Sequence, residues 1–140
     1  MSLIFITGGA RSGKSSYGVE LAKQSKGKVA FIATAAPEDE EMKQRIEMHK
    51  FARPADWTTI EETTRVAFAI KRAASEHSTI IVDCLTLLIS NLIFEPSHQD
   101  KIDKNREQTV LDAIREIAEV AKEVNGTVIV ISNELGMGIV

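Results

Sequence analysis

Residues 3–15, which read LIFITGGARSGKS, decide how the rest of this sequence is interpreted. Residues 3–7 form a short, continuously apolar run, which is typical of a strand buried on both faces of a parallel sheet. A glycine-rich turn follows, and residues 15–23 favour a helix that ends before Gly27. The stretch therefore predicts a strand, a tight turn and a helix in direct succession.

The turn matches the pattern of glycine, four residues, glycine–lysine–serine that cradles phosphate groups. Glycines let the backbone curl so that N–H groups point at phosphate oxygens, and the helix start adds a partial positive charge. The lysine reaches the β and γ phosphates, and the serine hydroxyl can bind Mg²⁺. A chance glycine-rich turn is the alternative, although the flanking strand and helix argue against it. We therefore predict nucleotide contacts from Gly8, Gly9, Ala10, Arg11, Ser12, Gly13, Lys14 and Ser15.

The rest of the chain alternates apolar runs with helical patterns. The predicted strands cover residues 3–7, 29–34, 57–61, 79–83 and 127–132, of which 57–61 is partly polar and suits a sheet edge. The predicted helices cover residues 15–23, 38–51, 63–76, 85–94 and 107–124. This order predicts an α/β P-loop fold of the RecA-like type, with a mainly parallel sheet and helices on both faces.

Length and composition limit the possible functions. A chain of 140 residues predicts one domain, residues 1–140. There are 17 basic and 20 acidic residues and no long basic run, which argues against a nucleic-acid partner. One cysteine, Cys84, suits a reducing cytoplasmic setting, and the first apolar run is too short to span a membrane. Because a doubly wound sheet normally continues after such a last strand, we expect a further C-terminal segment.

Two side chains outside the turn are candidates for chemistry. Asp83 ends a predicted buried strand, where P-loop proteins hold Mg²⁺, although it could instead cap the helix that follows. His49 shares a helical face with Met42 and Ile46. It could be a packed core residue, or it could attack a bound phosphate and form a covalent phosphoramidate. The residues by themselves leave both alternatives open.

Three segments carry a resemblance to a known family. Residues 32–61 read IATAAPEDEEMKQRIEMHKFARPADWTTIE, residues 5–15 read FITGGARSGKS, and residues 132–140 read SNELGMGIV. In this order they resemble the bifunctional adenosylcobinamide kinase and adenosylcobinamide-phosphate guanylyltransferase of cobalamin biosynthesis. The specific part is Arg45-Ile46-x-x-His49 followed by Arg53-Pro54-x-x-Trp57-x-Thr59-x-Glu61.

The resemblance implies a two-step enzyme that acts on a corrin side chain. The terminal hydroxyl of adenosylcobinamide first takes the γ-phosphoryl group of ATP or GTP. The histidine matching His49 then attacks the α-phosphorus of GTP and forms a guanylylated enzyme, from which adenosylcobinamide phosphate takes GMP to give adenosylcobinamide-GDP. The resemblance also implies a homotrimer with nucleotide sites near the subunit boundaries.

Further site residues follow from the resemblance, each beside a plainer alternative. Thr34 and Ala35 match a family segment near the nucleotide, although a loop after a strand is unremarkable by itself. Arg53 could neutralise phosphate charge or be a solvated cation at a helix end. Glu61 matches a carboxylate suited to the N1 and N2 hydrogens of guanine, or it could be a surface residue of an edge strand.

The remaining candidates are expected to be structural. Trp57 is expected to pack, while His77 and His98 match nothing and are expected to be exposed. Met48 stands where some family members have a second histidine, which leaves His49 as the one candidate nucleophile. Asp83 stands where a family member may carry glutamate, and the family continues beyond the final segment.

The leading hypothesis is therefore the bifunctional enzyme, with Lys14 stabilising phosphoryl charge, Ser15 and Asp83 holding Mg²⁺, and His49 as nucleophile. One alternative is a simple P-loop kinase for a small molecule, in which His49 only packs. The other is a nucleotide-binding regulatory module that turns over little. Neither alternative needs the segment from Arg45 to Glu61.

Overall fold

The computed structural model describes residues 2–8, 13–35, 40, 43–44, 53–94 and 103–133. The strands are β1 (Ser2–Gly8), β2 (Val29–Ala33), β3 (Thr58–Glu61), β4 (Thr79–Asp83) and β5 (Thr127–Asn133). The helices are α1 (Lys14–Lys23), α2 (Val66–Ala74), α3 (Leu85–Phe94) and α4 (Asp103–Glu123). All five predicted strands and four of the predicted helices are confirmed, with shifts of up to four residues at their ends. The predicted helix 38–51 lies outside the described residues, apart from residues 40, 43 and 44.

The five described strands form one parallel sheet in the order β1-β5-β4-β2-β3. Because all strands run the same way, their carboxyl ends lie along one edge. At that edge Asp83 is paired with Ala33 of β2 and with Ile131 of β5, and Ala33 is paired with Glu61 of β3. The predicted mainly parallel α/β fold is confirmed, as is the edge position of β3.

Helices cover both faces of the sheet. On one face, α1 packs through Ala22 and Leu21 against a cluster that includes Phe31, Ile81 and Ile131. On the other face, helices α2, α3 and α4 pack over the alternate strand residues, which are Ala30, Ile32, Ile80, Val82, Val128 and Val130. Successive strand side chains point to opposite faces, so continuously apolar strands are needed to serve both layers. None of the described helices is both long and apolar enough to cross a lipid bilayer.

β1, α3 and α4 each carry a large apolar side chain that is exposed. On β1, Phe5 is 53% exposed, because β1 pairs only with β5 in the described part of the sheet. On α4, Leu111 is 49% exposed, since two apolar rows lie side by side and only the row with Ala113 and Ile117 faces the core. On α3, Leu88 and Leu92 are buried, whereas Phe94 at the end of the helix is 69% exposed.

The prediction of an exposed His77 is wrong. Its Nδ1 lies 2.8 Å from the carbonyl oxygen of Ala73, and its Nε2 lies 3.0 Å from Oγ1 of Thr58. The same carbonyl oxygen of Ala73 also accepts from the N–H groups of Glu76 at 3.1 Å and of His77 at 2.9 Å. The His77 ring joins the end of α2 to the start of β3, at the edge of the sheet opposite Asp83. His98 lies outside the described residues.

Gly126 approaches a neighbouring backbone too closely for any side chain. A Cβ atom on Gly126 would lie 2.2 Å from the carbonyl oxygen of Ser78, which already accepts a hydrogen bond from the N–H of Thr127. We expect Gly126→Ala to lower the free energy of unfolding by about 2 kcal/mol, because backbone at the start of β5 has to move. Urea denaturation followed by circular dichroism measures this change.

Gly27→Ala is the matched control, because its Cβ would meet only side-chain atoms of the same Ser78, the hydroxyl, which can rotate away, and the Cβ at 2.9 Å. We expect a smaller loss there than at Gly126. A loss at Gly126 no larger than the loss at Gly27 would contradict the assigned contact.

Candidate active site

The phosphate loop is described at its two ends. Gly8 ends β1, and Gly13 precedes α1 with φ 86° and ψ 10°, a left-handed conformation that favours glycine. No atom lies within 4 Å of a Cβ built on Gly13, so the backbone angle and not crowding requires glycine there. Because Gly13 has no side chain, it cannot cap the first N–H groups of α1, and these groups remain suited to an anionic ligand.

Lys14 is the first residue of α1, and Ser15 follows it in the first helical turn. Gly9, Ala10, Arg11 and Ser12 lie outside the described residues, as does His49.

Asp83 occupies the carboxyl end of β4, on the face of the sheet that α1 covers. Asp83 comes two residues after Ile81 on the same strand, so the two side chains point to the same face of the sheet. Ile81 packs on that face in the cluster with Ala22 and Leu21 of α1. The negative charge of Asp83 acts to raise the pKa of both Arg53 and Cys84, while the Lys14 ammonium acts to lower the pKa of Cys84. Asp83 therefore lies near both Arg53 and Cys84, and Lys14 lies near Cys84.

Arg53 lies flat on the sheet and is only partly exposed. Its guanidinium carbon is 3.9 Å from the ring centroid of Phe31 in β2, and its Nη2 donates to Oγ1 of Thr59 in β3 at 3.5 Å. Burial lowers the pKa of Arg53, and the charge of Asp83 opposes that effect. A guanidinium stacked in this way keeps its planar face on the ring and its N–H groups available at the rim. Its phosphate contact stays a prediction.

Thr34 has a different environment from the one expected of a ligand-binding side chain. It is 0% exposed, its N–H donates to the carbonyl of Asp83 at 3.1 Å, and its hydroxyl donates to the carbonyl of Cys84 at 2.8 Å. The same hydroxyl accepts from the N–H of Cys84 at 2.8 Å. The Thr34 side chain therefore joins the ends of β2 and β4 inside the protein. Ala35 follows at the half-buried surface.

The β3 end contributes two acidic residues. Glu61 is exposed at the carboxyl end of β3, on the same face of the sheet as Thr59 and Arg53. Glu62 was not singled out in the sequence, yet its Oε2 accepts from the N–H of Thr64 at 3.2 Å and of Arg65 at 3.1 Å. It therefore holds the turn that precedes α2. Trp57 packs partly buried against the α1 cluster, as predicted.

The donor set at this edge suits Mg²⁺ bound together with a nucleotide. Among the described residues there is no group of three or more His, Cys, Asp or Glu side chains that could hold a metal by themselves. Mg²⁺ in phosphate-transfer sites is instead held by one or two protein oxygens, by water and by the phosphates. A single carboxylate, Asp83, near Lys14 fits that second arrangement.

A separate cleft of about 550 Å³ lies between the start of α2 and α4. Its lining includes Thr64, Phe68, Asp112 and Glu116, and none of the predicted site residues. The phosphate-loop lysine, Asp83 and Arg53 instead lie at an open edge of the sheet, as ligand sites of parallel sheets commonly do.

Comparison with known proteins shows the family of the chain. A family model described as cobinamide kinase / cobinamide phosphate guanyltransferase, CobU, matches residues 4–140, which include every described strand and helix except the first two residues of β1. The chain belongs to the CobU family. The match covers the phosphate loop, the strand that ends in Asp83 and the segment that contains His49.

Curated relatives of the chain are named as bifunctional adenosylcobalamin biosynthesis proteins. The chain is 40% identical to the bifunctional adenosylcobalamin biosynthesis protein CobP of Pseudomonas aeruginosa over 135 residues, which cover 96% of this chain and 73% of the relative. It is 32% identical over 142 residues to the bifunctional adenosylcobalamin biosynthesis proteins CobU of Escherichia coli and Salmonella typhimurium, covering 99% of this chain and 78% of each relative. The chain thus spans about three quarters of the length of these relatives.

In this CobU family member, the reactivity of the Cys84 thiol reports the charges around the candidate site, because Cys84 is the single cysteine of the sequence. Burial raises the pKa of its thiol; the N–H of Leu87 lowers it, Asp83 raises it and Lys14 lowers it. Raising a thiol pKa reduces the thiolate fraction at any pH below it, and only the thiolate is alkylated. We expect Lys14→Met to slow alkylation by iodoacetamide at pH 8 and Asp83→Asn to accelerate it, as measured by mass spectrometry.

Lys23→Met, at the far end of α1, is the control and should leave the alkylation rate unchanged. Equal rates in the Lys14 and Asp83 variants would show that these charges do not lie beside Cys84.

Proposed function

We propose that this chain phosphorylates adenosylcobinamide with ATP or GTP and then transfers GMP from GTP, through a guanylyl-histidine at His49, to give adenosylcobinamide-GDP. The observation that carries the proposal is the placement of Asp83 at the carboxyl edge of the sheet, near Arg53 and next to Cys84, together with that of Lys14 at the start of α1, where its charge also acts on Cys84. Family membership supports the same pair of reactions.

The kinase half is assigned to the phosphate loop and its neighbours. The N–H groups at the start of α1 and the Lys14 ammonium face the β and γ phosphates, where negative charge moves during transfer. Asp83 and Ser15 would hold Mg²⁺, which neutralises phosphate charge when it is bound. The cobinamide hydroxyl oxygen attacks the γ-phosphorus, the bond from that phosphorus to the β-phosphate oxygen breaks, and the nucleoside diphosphate leaves.

The guanylyl-transfer half is assigned to His49. An imidazole nitrogen attacks the α-phosphorus of GTP, a P–N bond forms, the bond to the β-phosphate oxygen breaks, and pyrophosphate leaves. A phosphate oxygen of adenosylcobinamide phosphate then displaces the imidazole. Chain connectivity supports this assignment, because His49 precedes Arg53 by four residues and so lies within about 14 Å of it, Cα to Cα.

Guanine recognition is assigned to the β3 end of the site. The carboxylate of Glu61 can accept hydrogen bonds from both N1–H and the N2 amino group of guanine, a pairing that adenine cannot offer. Ala35 and the backbone after β2 lie in the neighbouring strand connection, since Ala33 and Glu61 are paired. Arg53 lies between this end and Asp83, where it would neutralise phosphate charge.

Assembly and location are proposed from the family resemblance and from one residue. A homotrimer is the expected assembly, and a cytoplasmic location suits the free thiol of Cys84. The adenosylated corrinoid and the two nucleotides are the proposed partners.

Labelled GTP tests the guanylyl-transfer half. We expect wild-type protein incubated with GTP labelled on the α-phosphate to retain acid-labile, alkali-stable label, since a P–N bond hydrolyses in acid. His49→Ala should lose the label because it removes the attacking nitrogen. His77→Ala is the matched control and should keep the label, because His77 lies at the opposite edge of the sheet. A folded wild type that takes up no label would exclude this half.

Phosphoryl transfer from γ-labelled ATP to adenosylcobinamide tests the other half. Asp83→Asn should reduce kcat by about 100-fold, since it removes a preorganised charge at the phosphates. His49→Ala should keep most of this activity. Phosphoryl transfer without any covalent GMP would favour the simple kinase. Tight nucleotide binding without either transfer would favour the regulatory module.

A further inference from the structure

Asn91 is an amide side chain in the otherwise mainly apolar helix α3. Its Nδ2 donates to the carbonyl oxygen of Thr34 at 2.8 Å and to the carbonyl oxygen of Thr63 at 2.9 Å. Both partners are acceptors, so the NH₂ group and not the amide oxygen must face them. Buried Leu88 and Leu92 on the same helix hold Asn91 in place.

The two carbonyl groups belong to connections that leave neighbouring strands. Thr34 follows β2, and Thr63 comes two residues after the end of β3. The N–H of Thr34 donates to the carbonyl of Asp83, and its hydroxyl binds both backbone groups of Cys84, so these groups of Thr34 bind the end of β4. The strand ends are joined directly by the N–H of Glu62, which donates to the carbonyl of Ala33 at 3.0 Å. Asn91 adds a second link between the ends of β2 and β3. This link is made by a single side chain of α3, which lies on the face of the sheet opposite α1.

These two connections bear the residues assigned to guanylyl transfer. The chain leaves the sheet at Thr34 to enter the segment that contains His49, and it leaves β3 through Glu61, the proposed guanine contact. By contrast, the residues assigned to phosphoryl transfer lie on α1 and on β4, on the face of the sheet away from α3.

We propose that Asn91 is a positioning residue for guanylyl transfer. By holding the Thr34 and Thr63 carbonyls, Asn91 sets the spacing between the point where the chain leaves β2 toward His49 and the turn that follows Glu61. This inference rests on the proposed function. Asn91 does not touch the reacting atoms and acts through the two backbone groups that it binds.

The consequence is that the two half-reactions depend on Asn91 to different extents. Removing the NH₂ group of Asn91 releases the carbonyls of Thr34 and Thr63, on the connections that bear the residues assigned to guanylyl transfer. The contacts of Thr34 with Asp83 and Cys84 remain. A misplacement of about 1 Å between reacting groups can cost roughly 100-fold in rate. Phosphoryl transfer, whose groups share none of the lost contacts, should change by no more than about twofold.

Two substitutions and a neighbouring control test this. Asn91→Leu keeps the approximate size and removes both donors, whereas Asn91→Asp keeps the polarity but turns acceptor oxygens toward the two carbonyls. Ser90→Ala is the matched control on the same helix. For each full-length variant, the rate of label uptake from α-labelled GTP and the rate of phosphoryl transfer to adenosylcobinamide are measured on the same preparation, relative to the folded fraction.

We expect label uptake to fall about 100-fold in both Asn91 variants, with phosphoryl transfer within about twofold of wild type and Ser90→Ala normal in both assays. A parallel loss of both activities would show that Asn91 is only structural. Unchanged label uptake in a folded variant would also overturn the proposal.

Amide hydrogen exchange separates this inference from the proposed function. In nucleotide-free Asn91→Leu and Asn91→Asp, the N–H of Glu62 should exchange faster than in wild type, because the second link between the β2 and β3 ends is gone. The N–H groups of β5 should be unchanged. Faster exchange with no label in wild-type protein would refute only the histidine chemistry, whereas unchanged exchange at Glu62 would refute the positioning role.

Discussion

The parallel register of β4 with its two neighbours is the constraint on which the described structure depends. It pairs Asp83 with Ala33 on one side and with Ile131 on the other, although these residues are about 50 positions apart along the chain. The register brings the carboxyl ends of all five strands to one edge. Any slip by one residue would turn Asp83 away from α1 and toward the layer of three helices, since strand side chains alternate between faces.

Hydrogen bonds at the strand ends reinforce this register. A fully buried threonine must find partners for its hydroxyl, its N–H and its carbonyl group, because an unpaired polar group in the interior costs about 1–3 kcal/mol. Thr34 finds them on Asp83, Cys84 and Asn91. The end of β2 is therefore held to the end of β4 and to α3, which lie 50 and 57 positions further along the chain, by one small side chain and its backbone.

The electrostatic character of the edge follows from the same arrangement. Arg53 lies near the Asp83 carboxylate and Lys14 lies near the adjacent Cys84, while the Arg53 guanidinium is partly withdrawn from water against Phe31. Positive charge that is partly desolvated favours an anionic ligand, since the ligand replaces the lost hydration. Together with the uncapped start of α1, this makes a polyphosphate the natural ligand of the site.

The order of elements was predictable from the sequence because it depends on local chemistry. Apolar runs of five to seven residues, helical periodicity and a glycine at a left-handed position act through neighbouring residues, and the pattern around Gly8 to Ser15 specifies phosphate binding by its spacing. The candidate site residues Lys14, Arg53, Glu61 and Asp83 could also be chosen from the sequence, by motif, by position at a strand end and by resemblance. What only the tertiary structure decided is which side chains meet. The burial of Thr34, the link from Asn91, the stacking of Arg53 on Phe31 and the choice of the Ala113 row over the Leu111 row of α4 depend on strand order and helix rotation. These arise from packing between segments far apart along the chain, which no local pattern records.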